Sequence, residues 1–171
     1  MSLEYNMPSK DLLSLEGNSV ENALVLAEAI REALDFGNRA MGRRLTDRGL
    51  SPTHMRVLMH IHYKGNTRAI DLVHEVGYAP RTITEAVDSL EGMGLVQRIP
   101  DKTDRRVKHI SVTAAGDAKV IEVTPIVHDF VSQILGVLNE AEMKQFTGLL
   151  SRIRLQAAMM EESYGEGIGR P

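Results

Sequence analysis

Between Arg98 and His109 the sequence sets five basic residues, Arg98, Lys102, Arg105, Arg106 and Lys108, against two acidic ones, Asp101 and Asp104. Just upstream, Arg81, Thr82, Thr84 and Glu85 bring a guanidinium, two hydroxyls and a carboxylate into one short stretch. Cations strung along a chain neutralise a line of phosphates. Guanidinium, hydroxyl and carboxylate groups are those that hydrogen-bond base edges in a major groove. The whole chain carries a net charge of −3, so the local positive excess runs against its background. The bland alternative is a solvated hairpin whose charges protect an exposed strand edge.

Other chemistry finds less support. Ser89 and Ser111 lack the setting of a nucleophile elbow, no glycine-rich loop follows a strand to cradle phosphate, and the acidic residues fall mainly on solvated helix faces. No enzyme and no cofactor are expected. His54, His60 and His62 cluster, but on a helix His54 and His62 are about two turns apart and His60 points elsewhere. They cannot converge locally on a metal. His109 and His128 lie on other elements, and the expectation is ordinary surface and interface histidines with no metal. With no cysteine in the chain, disulfides, thiolate metal sites and thiol redox sensing are excluded.

The elements that must position the basic stretch can be read from spacing. Pro80 suits the first position of a helix, and Ile83, Ala86, Val87 and Leu90 give it one apolar face. Arg81, Thr82, Thr84, Glu85 and Asp88 fall on or near the other face. Gly92 and Gly94 break the helix. Leu95–Ile99 reads as a strand and Val107–Val112 as the returning strand, joined by a charged tip. Upstream, Ser51-Pro52 starts a helix with Met55, Leu58, Met59 and Ile61 as its buried set, and Gly65 stops it. Arg68-Ala69-Ile70 suggests a short strand pairing with the hairpin. Asp71–Val76 forms a short helix, with Leu72, Val73 and Val76 facing in, and Gly77-Tyr78-Ala79 is the turn before Pro80. The sum is a helix-turn-helix followed by a two-stranded wing.

The order of short motifs strengthens that outline. Thr82-Ile83-Thr84, Leu90-Glu91, Gly94-Leu95-Val96, Asp104-Arg105-Arg106 and Val112-Thr113-Ala114-Ala115-Gly116 follow one another as in the MarR family of prokaryotic winged-helix regulators. The chain resembles that family closely from Ser51 to Val120 and in pattern beyond. Family members show a T-V-T start to the recognition helix, a G-L-V lead into the wing, a D-R-R wing and an L-T-x-x-G exit. Glu85 departs from the basic or uncharged residue that many members carry after T-V-T. The resemblance implies a mainly α fold with a small β-wing and N- and C-terminal dimerisation helices. It also implies a double-stranded DNA operator, an inverted repeat bound by a homodimer that represses.

On that reading helix 80–91 enters the major groove, with Arg81, Thr82 and Thr84 as base-edge or phosphate contacts and Glu85 able to accept from cytosine N4. The wing, through Lys102, Arg105, Arg106 and Lys108, reaches the adjacent minor groove. One of Arg105 and Arg106 is alternatively a partner for Asp101 or Asp104, holding the hairpin. Relatives bind effectors between the dimer helices and the winged helix. There Arg39 and Arg43 at the end of the first helix, with His54 and Met55 at the start of the second, would receive an aromatic carboxylate or phenol. A competing reading, drawn from the acidic net charge and from Glu85 and Asp88, is a winged-helix interaction module without DNA binding.

The outer segments complete the plan. Residues 1–18 are polar and irregular, read as a flexible arm. Ser19 caps a helix with a stripe of Ala23, Leu26, Ala27, Ile30 and Leu34 that runs towards Asp47, and Gly49 ends it. Thr113 caps a helix lined by Val120, Val123, Val127, Phe130, Val131, Ile134 and Leu138, which Pro125 should kink or interrupt near Thr124. Asn139 and Glu142 have capping-box spacing, followed by Met143, Phe146, Leu149, Leu150, Ile153 and Ala157 as one apolar face. Residues 163–171 read as a flexible tail. Segments 19–48 and 113–162 thus carry apolar stripes that a winged helix of residues 51–112 cannot cover, and a second copy can. At 171 residues and 43% apolar content the chain can bury a core. No apolar run approaches the roughly 20 residues needed to span a bilayer, and residues 1–18 lack a signal-peptide core, so no membrane partner and a cytoplasmic location are expected.

Overall fold

A computed structural model describes residues 19–101 and 107–167. Its elements are helices α1 (Ser19–Leu45), α2 (Pro52–Lys64), α3 (Ala69–Val76) and α4 (Pro80–Gly92), strands β1 (Val96–Pro100) and β2 (Lys108–Val112), and helices α5 (Ala114–Leu135) and α6 (Glu140–Gly167). The chain divides into one unit up to Ile126 and a second from Val127.

In the first unit, local signals set the boundaries. A single 3-10 turn, Thr46–Arg48, follows α1, and Gly49 closes it in the left-handed conformation at φ 70°. Ser51 caps α2 reciprocally: His54 N–H donates to Ser51 Oγ at 3.1 Å, and Ser51 N–H donates to His54 Nδ1 at 3.4 Å. Gly77, at φ 77°, ends α3 and turns the chain into α4, whose first residue is Pro80. The left-handed backbone there favours a residue without a Cβ.

The core lies among α2, α3, α4, the strands and the start of α5. Val57, Leu58, Ile61, Leu72, Ile83, Leu90, Val120 and Val123 are buried, each such side chain contributing about 1.5–3 kcal/mol of transfer free energy. The apolar face of α4 is Ile83, Ala86, Val87 and Leu90, all buried, as the spacing predicts. In α2 the expected set needs a correction. Val57 is fully buried, whereas Met55 and Met59 are only half-buried. Val57, Leu58 and Ile61 turn inward together because they share one side of the helix, and the flanking methionines fall on its margins.

The strands pair antiparallel, with Val96 opposite Val112 and Pro100 opposite Lys108. The expected third strand at Arg68-Ala69-Ile70 does not form. Arg68 caps α3, and Ile70 lies in that helix, 51% exposed. The pairing is made one residue earlier: Thr67 N–H donates to the Ile110 carbonyl at 3.1 Å, and Ile110 N–H to the Thr67 carbonyl at 2.7 Å. Arg68 goes to α3 because its guanidinium reaches the Asp71 carboxylate at 2.8 and 2.9 Å, closing the first turn and holding Asp71 at a pKa of about 2.

Helix α5 continues through Pro125 to Leu135 without an interruption at Thr124. Thr124 Oγ1 donates to the Val120 carbonyl at 2.7 Å, supplying an acceptor's partner within the turn that proline disturbs. In the second unit, Asn139 and Glu142 cap α6 reciprocally at 2.8 and 3.0 Å. That helix runs to Gly167, into the stretch 163–171 for which the sequence suggests a flexible tail. Phe130 is buried, but Val131 and Ile134 are 44% exposed. Met143, Phe146, Leu149, Leu150 and Ile153 of α6 are all exposed as well. An open groove on α6 is lined by Leu138, Phe146 and Leu149. In α1, Val20, Leu24, Leu26 and Leu34 are likewise uncovered. No single described helix is long and apolar enough to cross a membrane.

Candidate nucleic-acid interface

Helix α4 presents Arg81, Thr84, Glu85 and Asp88 to solvent along the side opposite its buried face, with Thr82 half-buried at the margin. Its start has Pro80 at the first position and no side-chain cap. The first-turn amides therefore keep their partial positive charge available to an anion. Arg56 of α2 stacks over the ring of Tyr78, 5.3 Å from its centroid, bracing the turn that sets the angle of α4.

Each exposed side chain of α4 already has a local arrangement. Arg81 Nε donates to Glu85 Oε1 at 2.7 Å, one turn on. Thr84 Oγ1 donates to the Pro80 carbonyl at 3.0 Å, which spends its donor within the helix. The carboxylates of Asp88 and Glu91 both accept from the Arg98 guanidinium of β1, and Glu91 also accepts from the Arg98 backbone N–H at 3.1 Å. Burial pushes the Arg98 guanidinium towards lower pKa, but the hydrogen bonds it donates to Asp88 and Glu91 outweigh it and raise the value above the ordinary one. Arg98 thus clamps the wing to α4 and is not one of the solvent-facing cations its place in the sequence suggests. Strand parity carries the signal: Arg98 lies two residues from buried Val96, on the same face.

At the root of the wing, Asp101 N–H donates to the Val107 carbonyl at 2.9 Å. His109 Nε2 and Asp101 Oδ2 are 2.9 Å apart. Asp101 is therefore in contact with a histidine, a pairing that charge alone does not suggest. Lys108 opens β2 and is exposed. Lys102, Arg105 and Arg106 lie outside the described residues.

The motif residues around the wing have structural reasons. Gly94 takes φ +72° between α4 and β1. Thr113 Oγ1 donates to the Gly94 carbonyl at 2.7 Å and accepts from Gly116 N–H at 3.1 Å, so one hydroxyl caps α5 and holds the hairpin's start.

The effector candidates lie at the end of α1 and the start of α2, where Pro52 comes within 3.7 Å of the position a Cβ on Gly42 would take. Arg39 stacks over Phe36 at 4.8 Å, Arg43 is exposed and Met55 is half-buried. His54 is engaged in the α2 cap, and burial lowers its pKa. Two further histidines join elements: His60 meets Glu75 of α3 at 2.7 Å, and His62 meets Asp117 of α5 at 2.7 Å. Among the described residues no group of three or more His, Asp or Glu side chains is arranged to hold a metal ion.

This architecture has known counterparts. A family model described as the MarR family matches residues 50–108. The HTH-type transcriptional regulator MhqR of Bacillus subtilis (strain 168) is 30% identical over 139 residues, covering 81% of this chain and 93% of that protein. The HTH-type transcriptional repressor MdtR of the same organism is 29% identical over 114 residues, covering 67% of this chain and 73% of that protein. A crystal structure of a MarR mutant from E. coli complexed with operator DNA superposes with a TM-score of 0.72. It is 18% identical, covering 80% of this chain and 99% of that one. With a helix-turn-helix, a two-stranded wing clamped to its second helix, and a relative matched over nearly its full length, this chain belongs to the MarR family of winged-helix transcriptional regulators, not to a class of enzymes.

Proposed function

We propose that this regulator binds an inverted-repeat operator as a homodimer and acts as a repressor in the cytoplasm. The observation that carries this is the paired display on α4: a fully buried apolar face fixes the helix, and the opposite face offers Arg81, Thr84 and Glu85 at its open start. Arg81, Thr82, Thr84 and Glu85 approach the major groove, and Lys102, Arg105, Arg106 and Lys108 supply the wing's contact with phosphate. The uncovered apolar faces of α1 and α6 support the dimer, since exposed stripes of that extent mark an interface. The relative MdtR bears the name of a repressor. A small aromatic acid or phenol is the proposed releasing ligand, taken by Arg39, Arg43, His54 and Met55.

The test is selection of bound duplexes from genomic fragments, followed by titration of the enriched site at two salt concentrations. Two protomers per site and a steep loss of affinity with salt are the expected results. Failure to enrich any sequence favours the non-DNA interaction module. Benzoate or phenol should then release the bound site, and Arg43→Ala should blunt that release.

A further inference from the structure

The outward strip of α4 is acidic where a groove-facing helix meets phosphate. One cation, Arg81, shares it with two carboxylates, Glu85 and Asp88. Asp88 is turned to the wing by Arg98. Glu85 is held in a different way: its partner Arg81 stands on the same strip, and their side chains are 63% and 90% exposed. The ion pair therefore points away from the protein as a unit, with an acceptor and a donor side by side.

A carboxylate accepts hydrogen bonds and donates none. In the major groove the only base donors are adenine N6 and cytosine N4. Adenine sets its N7 acceptor beside N6, and a carboxylate is repelled there. Cytosine offers N4 without an adjacent acceptor on its own edge, and its partner guanine presents O6 and N7, the preferred target of arginine. A carboxylate beside a guanidinium is thus complementary to the edge of one C·G base pair. The pairing also offsets the repulsion between Glu85 and the phosphates.

We infer that Arg81 and Glu85 act together as a specificity element demanding a C·G base pair at one symmetric position in each half-site. Glu85 accepts from cytosine N4, and Arg81 donates to the guanine opposite. This rests on the DNA-binding reading above and names what that site selects.

The test uses the full-length protein and a duplex pool randomised over about two helical turns, with the selected motif then checked by single-base variants. Wild-type protein should select C·G at one position per half-site and discriminate against other pairs by about 5- to 150-fold. E85A and R81A should each lose that discrimination while keeping the flanking motif. E85Q should shift tolerance towards adenine, which glutamine reads through N6 and N7. Both side chains are exposed, and far-ultraviolet spectra of the variants should match wild type. If E85A or R81A retains the C·G preference, the paired reading is overturned while the regulator reading stands. If wild type enriches no motif at all, both fall.

Discussion

The backbone of Gly116, in the first turn of α5, lies against the Leu95 carbonyl with no room for a side chain between them. A methyl there would overlap that oxygen and the Val112 side chain. Backbone cannot swing aside as a side chain can, so Gly116→Ala should destabilise the fold by about 1–3 kcal/mol. Gly92, at the end of α4, has nothing within 4 Å of its would-be Cβ. Gly92→Ala should stabilise by about 0.4–1 kcal/mol through the unfolded chain. Urea unfolding of the two variants checks both signs.

Arg98 holds two carboxylates of α4 at once. Arg98→Ala should cost about 1–2 kcal/mol of stability. It should also weaken DNA binding by releasing Asp88 and Glu91 towards phosphate. Adding Asp88→Asn should restore part of the affinity and little of the stability. Equal recovery of both would show that Arg98 acts on the fold alone.

Phe146 is 45% exposed beside Leu149 on α6. If this face meets a second copy, Phe146→Asp buries an unpaired charge at the interface and costs several kcal/mol of association. Sedimentation should report a dimer for wild type and monomer for the variant. A wild-type chain that stays monomeric at micromolar concentration rules the interface out.

Lys108 stands exposed at the start of β2, and Arg105 precedes it by three residues in the sequence. Contacts to phosphate carry no base information. Lys108→Ala and Arg105→Ala should each weaken specific and non-specific duplexes alike and reduce the log–log salt slope by about one. A change in base preference would place these side chains in contact with base edges.

Burial lowers the pKa of His54, and burial with the nearby charges of Lys64 and Arg56 lowers that of His60. For His60 this prevails over the Glu75 carboxylate 2.7 Å away, which on its own would favour the protonated ring. Both folded values lie below 6.5, so the unfolded chain binds more protons between its own value and the folded one. Stability is full above that window and falls as pH drops through it. The His54 cap agrees in sign, because protonating Nδ1 removes the acceptor for Ser51 N–H. Melting temperatures between pH 7.5 and 5.5 should decline, and His54→Gln should flatten the decline. An unchanged slope in His54→Gln would remove the cap from this account.

What could be read in the sequence followed from repetition and from residues whose backbone needs are strict. The spacing of Ile83, Ala86, Val87 and Leu90 foretold both the course of α4 and the face it buries, and Ser51-Pro52 and Asn139 with Glu142 marked helix starts that the structure contains. Thr67 was not legible because its pairing is made by peptide groups, which every residue has. The arrangement of Arg98, Asp101 and His109 was not legible for another reason. Opposite charges in a hairpin admit several pairings, and only the strand register selects among them. The polar face of α4 was legible as a set of residues, but not the turning of the Thr84 hydroxyl onto Pro80, which depends on its rotamer.

Ile110 spends both its amide and its carbonyl on Thr67, at the point where the chain enters α3. Its side chain is buried, and β1 lies along the strand's other edge. The Ile110 amide hydrogen can trade with solvent deuterium only after Thr67 has moved off. The rate of that exchange is therefore a clock for the separation of the helix-turn-helix from its wing, readable at a single amide with no DNA present.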